Sequence, residues 1–154
     1  MENEEGIASF ITLATELKSK FTFTYIRIMG DVHENIGVKK VCISQEGFMK
    51  VIEGFTNGLF QFTYEFRIYN FKTEATPLLF FVDTLVNNPS LQTIGFAKND
   101  LDKDLSAAII QRLYFNAALT KLDLNGNTFM QVDFIDSIIK PYFNSRKDLQ
   151  IVLE

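Results

Sequence analysis

A few residues in this chain have types and spacings that bear on chemistry. Cys42 and His33 are the only cysteine and histidine, and a thiol beside an imidazole is the pairing of a nucleophile with its base. They stand nine positions apart across the segment GDVHENIG, with no flanking signature of a thiol enzyme. Such pairs work by proximity in space, not in sequence. A plain strand cysteine and a loop histidine explain them more simply. Asp100, Asp102 and Asp104 alternate as D-x-D-x-D, but a calcium loop needs Gly at its sixth position and Glu at its twelfth. Leu105 and Gln111 stand there instead. Acids favoured at a helix N-terminus account for the run. Tyr25, Arg27, Arg67 and Tyr69 belong to the types that dominate binding energy once desolvated. They are equally the types that a solvated strand face tolerates.

Composition narrows the partners. The net charge is −4, which argues against a nucleic-acid or anionic-membrane surface, since both need a basic footprint. No run approaches the roughly 20 apolar residues that cross a bilayer. The first residues, MENEEGIASF, are acidic, unlike a secretory leader. One cysteine allows neither an internal disulfide nor a cysteine-built metal cluster. The expectation is a reducing, cytoplasmic setting, with no metal and no cofactor. The one N-x-S triplet holds Pro89 at its centre, so it is no glycosylation signal.

The elements that would position these residues come from a repeat. In LTKLDLNGN, Leu119, Leu122 and Leu124 are spaced by three and then two, and Asn127 follows three later. Neither a helix face nor strict strand alternation runs this way. Twenty-eight residues earlier, LQTIGFAKN places Leu91, Ile94, Phe96 and Asn99 at the same seats. Another 28 back, Phe66 and Ile68 keep the core pair, while Thr63 and Phe71 replace the outer landmarks. Asn88, Asn116 and Asn144 keep the same beat, and Leu149 arrives two residues late, as if after a short insertion. Upstream, Val38, Val41 and Ile43 restore the spacing at a step of 25. FTFTYIRIM at 21–29 reads as a further strand, a hairpin partner or a degenerate first turn. Helices are expected over 3–19, 44–58, 77–87 (opened by Thr76-Pro77), 102–116 (capped by Asp102) and 130–140 (closed by Pro141). A strand joined to a helix about every 28 residues predicts a parallel solenoid whose stacked units make one core. In it the turn asparagines satisfy backbone groups, and Phe71 breaks their ladder.

The pattern LxxLxLxxN, followed by a helix ending in Asn-x-x-Leu, resembles the ribonuclease-inhibitor type of leucine-rich repeat. The best-matching stretch is NDLDKDLSAAIIQRLYFNAALTKLDLNGN, residues 99–127. The resemblance implies an α/β fold: a short right-handed β-α superhelix with a mostly parallel sheet of five or six strands on its concave face and helices on its convex face. Residues 1–154 would form one domain, with an irregular cap over 1–43 and repeats over 44–154. It also implies protein–protein binding without catalysis. The family includes enzyme inhibitors, actin-end binders, sensor domains and bacterial effectors.

In that register the residues between inward landmarks face solvent. They are Glu65, Arg67 and Tyr69; Thr93, Gly95 and Ala97; and Lys121, Asp123 and Asn125, with Lys40, Cys42 and Ser44 and then Tyr25 and Arg27 upstream. The functional expectation is a non-catalytic module that inhibits or scaffolds a partner protein through Tyr25, Arg27, Lys40, Glu65, Arg67, Tyr69, Thr93, Lys121, Asp123 and Asn125. A bacterial effector or effector regulator fits, in which case the setting is a host cytosol. On this reading, replacing Arg67 and Tyr69 abolishes capture and leaves stability nearly unchanged. Two alternatives stay open: a small enzyme with a thiol site at Cys42 and His33, and a structural protein self-associating through the edge strand LQIVLE at 149–154.

Overall fold

The computed structural model describes residues 9, 11–16, 22–29, 42–43, 45–69, 71–127 and 132–153. Its frame is a five-stranded, all-parallel sheet. In sheet order the strands are β1 (Tyr25–Met29), β3 (Glu65–Tyr69), β5 (Thr93–Gly95), β6 (Lys121–Asp123) and β7 (Gln150–Val152). A separate two-stranded parallel sheet joins β2 (Cys42–Ile43) to β4 (Lys72–Thr73). Parallel neighbours need a crossover, and helices supply it. The helices are α1 (Gln45–Thr56), α2 (Ala75–Leu85) and α3 (Lys103–Leu113), then α4 (Val132–Phe134), which runs through a π-helical stretch (Ile135–Ile139) into α5 (Lys140–Ser145). The arrangement is compatible with a repeating α/β fold.

Register bears out the 28-residue beat. Phe66 pairs with Ile94 and Ile94 with Leu122. All three are buried, as are Leu91, Phe96, Leu119 and Leu124. Helix residues Val51, Ile52, Leu78, Phe81, Leu85, Ile109, Leu113, Phe134 and Ile139 close over them in one continuous core. Towards β1 that core is aromatic: Phe55 sits edge-on to Phe60, Phe66 and Phe81, with ring centroids 4.8, 5.3 and 5.8 Å away. Such pairs contribute beyond their buried area. Gly54 makes room for this packing, since a Cβ there would lie 2.5 Å from the Phe60 ring.

The asparagine seats work across units. Asn127 Nδ2 donates to the carbonyls of Phe96 (2.9 Å) and Leu124 (2.7 Å), and its Oδ1 accepts from the amides of Asn99 and Leu101. One unit earlier, Asn99 donates to the Ile68 carbonyl and accepts from the Phe71 amide, both at 3.0 Å. The ladder therefore runs from side chain to neighbouring backbone. Phe71 ends it only as a side chain, because its amide is still satisfied. Before the strands, Asn116 donates to the carbonyls of Leu85 and Asn88 in the same manner.

Several expectations need correction. β1 belongs to the main sheet and pairs in parallel with β3, Ile26 opposite Phe66, so of the two readings of 21–29 the hairpin falls and the irregular first turn agrees with the pairing. The unit before β3 spans forty residues, and β2 lies outside the main sheet. α2 begins at Ala75 with Glu74 as its cap, two residues before the expected start. Pro77 is tolerated because first-turn amides lack helical partners anyway. Pro141 does not close the last helix: the wider π-helical stretch precedes it, and helix continues to Ser145. Asp102 does cap α3, accepting from the Leu105 amide at 2.8 Å. Of the 3–19 helix, residues 11–16 are helical, with Ile11 and Ala14 buried.

Asn144 is exposed and out of register. The seat of Asn116 passes to Arg146, whose guanidinium donates to the carbonyls of Tyr114 (2.8 Å), Asn116 (2.9 Å) and Leu119 (2.7 Å). Leu149 then bonds to Arg146 as Leu119 bonds to Asn116. We expect Arg146→Ala to cost about 2 kcal/mol, because buried acceptors lose their donor. Asn144→Ala should stay within about 0.5 kcal/mol. Urea melts of the two variants check this, and equal losses would put the repeat seat back at Asn144.

Candidate functional site

The sheet face away from the helices carries two rows of side chains. One row runs Tyr25, Glu65, Thr93, Lys121, Gln150, and the next runs Arg27, Arg67, Gly95, Asp123, Val152. Neighbouring strands lie about 4.8 Å apart, so each row is a line of contacts. Position in the rows decides what can reach what.

The second row contains a gap. Gly95 has no side chain, and the Arg67 stem lies across it, so that a Cβ on Gly95 would sit 2.9 Å from Arg67 Cγ. The guanidinium thereby spans from β3 to β6. Arg67 Nη1 donates to Asp123 Oδ2 at 2.7 Å and to Tyr69 Oη at 2.6 Å, and Nε donates to Glu65 Oε1 at 2.8 Å. On the other flank Arg27 reaches the same Glu65 oxygen, from Nη2 at 2.7 Å and Nε at 3.0 Å. Asp123 Oδ1 also accepts the Asn125 amide. Two arginines and two carboxylates, on β1, β3 and β6, thus form one network that crosses β5 at Gly95.

Burial is uneven along it. The side chains of Glu65, Arg67 and Asp123 are only 11%, 13% and 13% exposed, against 58% for Arg27. Burial by itself would raise the Glu65 carboxyl. Hydrogen bonds from Arg27 and Arg67, and their charge, outweigh that and hold it below its ordinary value of 4.5. Burial likewise works against the charge on Arg67, but Tyr69 and Glu65 outweigh it and hold this guanidinium above its ordinary range.

The residues expected on this face divide into three groups. Tyr25 and Arg27 are exposed, and Tyr69, Lys121 and Asn125 are half-buried. Glu65, Thr93 and Asp123 are buried, together with Gly95 and Ala97, which corrects the expectation that they meet solvent. Alternation gives the correct side of the sheet, but Arg67 then covers its middle. Lys40, Ser44 and His33 lie outside the described residues. Cys42 lies on β2 and so adds nothing to these rows. Among the described residues no three His, Cys, Asp or Glu side chains gather as a metal site, and no helix is long and apolar enough to cross a membrane.

No family model matches this chain, and no curated protein is detectably similar to it.

Two exposed aromatics at the rim were not anticipated. Tyr64 is 39% exposed and leans on the 64%-exposed Tyr25, with ring centroids 6.0 Å apart. Phe62 is exposed beside them in sequence. The signal was available: Tyr64 occupies the seat that holds Gln92 and Thr120 in the next two units. The face thus presents an aromatic edge, Arg27 beside it, a closed ionic centre and Lys121 on the far flank.

Because Arg67 neutralises two nearly buried carboxylates, we expect Arg67→Met to cost about 3 kcal/mol, the loss typical of stripping one member from a buried pair. Adding Glu65→Gln and Asp123→Asn should recover part of it. This replaces the expectation that Arg67 is neutral for stability, and denaturant melts check it.

The depressed Glu65 carboxyl also fixes a direction in pH. Its contribution is complete above 4.5 and is lost as pH falls through the lower folded value. The thermal midpoint should drop on acidification below 4.5 in the parent and drop less steeply in Glu65→Gln. Parallel curves would remove Glu65 from this role.

Proposed function

We propose that this chain is a short leucine-rich-repeat-like solenoid acting as a non-catalytic binding module, which takes a partner protein on the open, concave face of its sheet. The observation that carries the reading is the open face itself. Its rows are locked in register, its ionic centre is closed, and its rim offers Tyr25, Arg27, Tyr64, Tyr69 and Lys121. Aromatic and arginine side chains over a rigid floor are the composition that concentrates binding energy. Arg67, Glu65 and Asp123 serve as the floor, with Thr93 in the row between Glu65 and Lys121, and Asn125 follows Asp123 just past the end of β6. The module acts by occupying a surface of its partner, as an inhibitor or a scaffold. The single cysteine is in keeping with a reducing cytosol, the chain's own or that of a host reached by a translocated effector.

The test compares affinity capture by the parent with capture by a rim variant, Tyr25→Ser with Tyr64→Ser, which leaves the ionic network intact, and by a helix-side control, Met49→Ser. All three should melt within a few degrees of one another, and the rim variant should lose the captured protein while the control keeps it. Loss with Met49→Ser alone would move the interface to the helices and end this reading.

A further inference from the structure

Taking the open-face reading as given, we infer that the partner segment seated on this face is an acidic, extended stretch of polypeptide, held through carboxylates by Arg27 and Lys121. Charge is the first argument. The described face carries Arg27, Arg67 and Lys121 against Glu65 and Asp123, a positive excess on a chain whose net charge is −4. A surface opposite in sign to its own protein draws an acidic partner to that one place, while the rest of the molecule repels it.

Accessibility sharpens this. Both carboxylates are turned inward, 11% and 13% exposed, and each already accepts from Arg67. A visiting cation therefore meets only carboxylates that are little exposed and already neutralised by arginine. Arg27, by contrast, is 58% exposed, and it shares the Glu65 oxygen with Arg67, so that one acid faces two guanidiniums. Lys121 is half-buried, and its row neighbours Thr93 and Gln150 carry no charge. What this face offers a partner is therefore cationic and aromatic.

Spacing gives the shape. Arg27 on β1 and Lys121 on β6 are three strand intervals apart, about 14 Å across the sheet, and one row apart, about 7 Å along it, so about 16 Å on the diagonal. An extended chain covers that in about four to five residues, and of these spacings only residues four apart point the same way. The segment therefore carries acidic side chains at i and i+4 and lies across the strands. An apolar residue beyond the first acid reaches the Tyr25–Tyr64 pair. The small seats at Thr93 and Gly95 leave its middle unobstructed except by Arg67.

Fluorescence polarisation on the full chain tests this with four labelled probes. Three are short peptides in a Ser/Thr/Val background bearing Glu, Gln or Lys at i and i+4, and the fourth is a single-stranded oligothymidylate. The Glu peptide should bind tightest, about tenfold above the Gln peptide, and weaken as salt is raised. Arg27→Gln and Lys121→Gln should each reduce its affinity about fivefold, and Met49→Ser should not. Lys121→Gln is the cleaner variant, because Arg27 also touches Glu65. Equal binding of Glu and Gln peptides, tighter binding of the Lys peptide or the oligonucleotide, indifference to both substitutions, or no binding at all would each overturn the inference. The open-face reading stands apart from these outcomes, since it fails only on the capture comparison with the rim variant.

Discussion

The structure depends first on a side chain of one unit satisfying the backbone of the unit before it. Asn127 supplies two donors and two acceptances at the bend where β6 ends, and it takes the Phe96 carbonyl and the Asn99 and Leu101 amides from the preceding unit. An amide is the only neutral side chain that both donates twice and accepts, and at a bend the backbone leaves both kinds of group unpaired. Each unit is therefore pinned to its neighbour at one height. That pinning aligns Phe66, Ile94 and Leu122 beneath the sheet and Arg67, Gly95 and Asp123 above it. Core and open face are two sides of the same register.

Where the pin changes, the geometry follows. At the last unit the bend before the strand uses Arg146 in place of an asparagine. A guanidinium reaches further and offers more donors, so it takes three carbonyls instead of two. The extra reach accommodates the inserted residues, and the strand register returns to within one of the regular beat, with Lys121 opposite Gln150. Arg146 is tied in turn to Asp148, whose exposed carboxyl it holds below the ordinary range through hydrogen bonds.

Much of this was legible in residue types. The spacing of Leu91, Ile94 and Phe96 against Leu119, Leu122 and Leu124 reports stacking directly, because equivalent seats meet equivalent neighbours. Of the D-x-D-x-D run, Asp102 is the helix cap and Asp104 lies in its first turn, as the spacing implied, while Asp100 precedes them with a left-handed φ of 55°. Three features were hidden. The place of the first strand in the repeat was obscured because its unit runs to forty residues and not about 28. Asn144 imitated a landmark by keeping the 28-residue beat, although the seat had already passed to Arg146. The covering of the open face was hidden because alternation assigns a side, not a neighbour. Arg67, Gly95 and Asp123 nevertheless stand 28 apart, and a cation, a void and an anion in one row already describe a bridge.

That bridge affects how anything could dock here. Surface arginines ordinarily sample many rotamers, and fixing each one on association costs about 0.5–1.5 kcal/mol. In this molecule Arg67 is immobilised before any encounter by Glu65, Tyr69 and Asp123, and Arg27 is restrained by Glu65. The freedom those side chains would lose on contact has already been lost in folding. To anything that docked on it, the sheet would therefore be a stiff template whose central relief is set by one missing methyl group, that of residue 95.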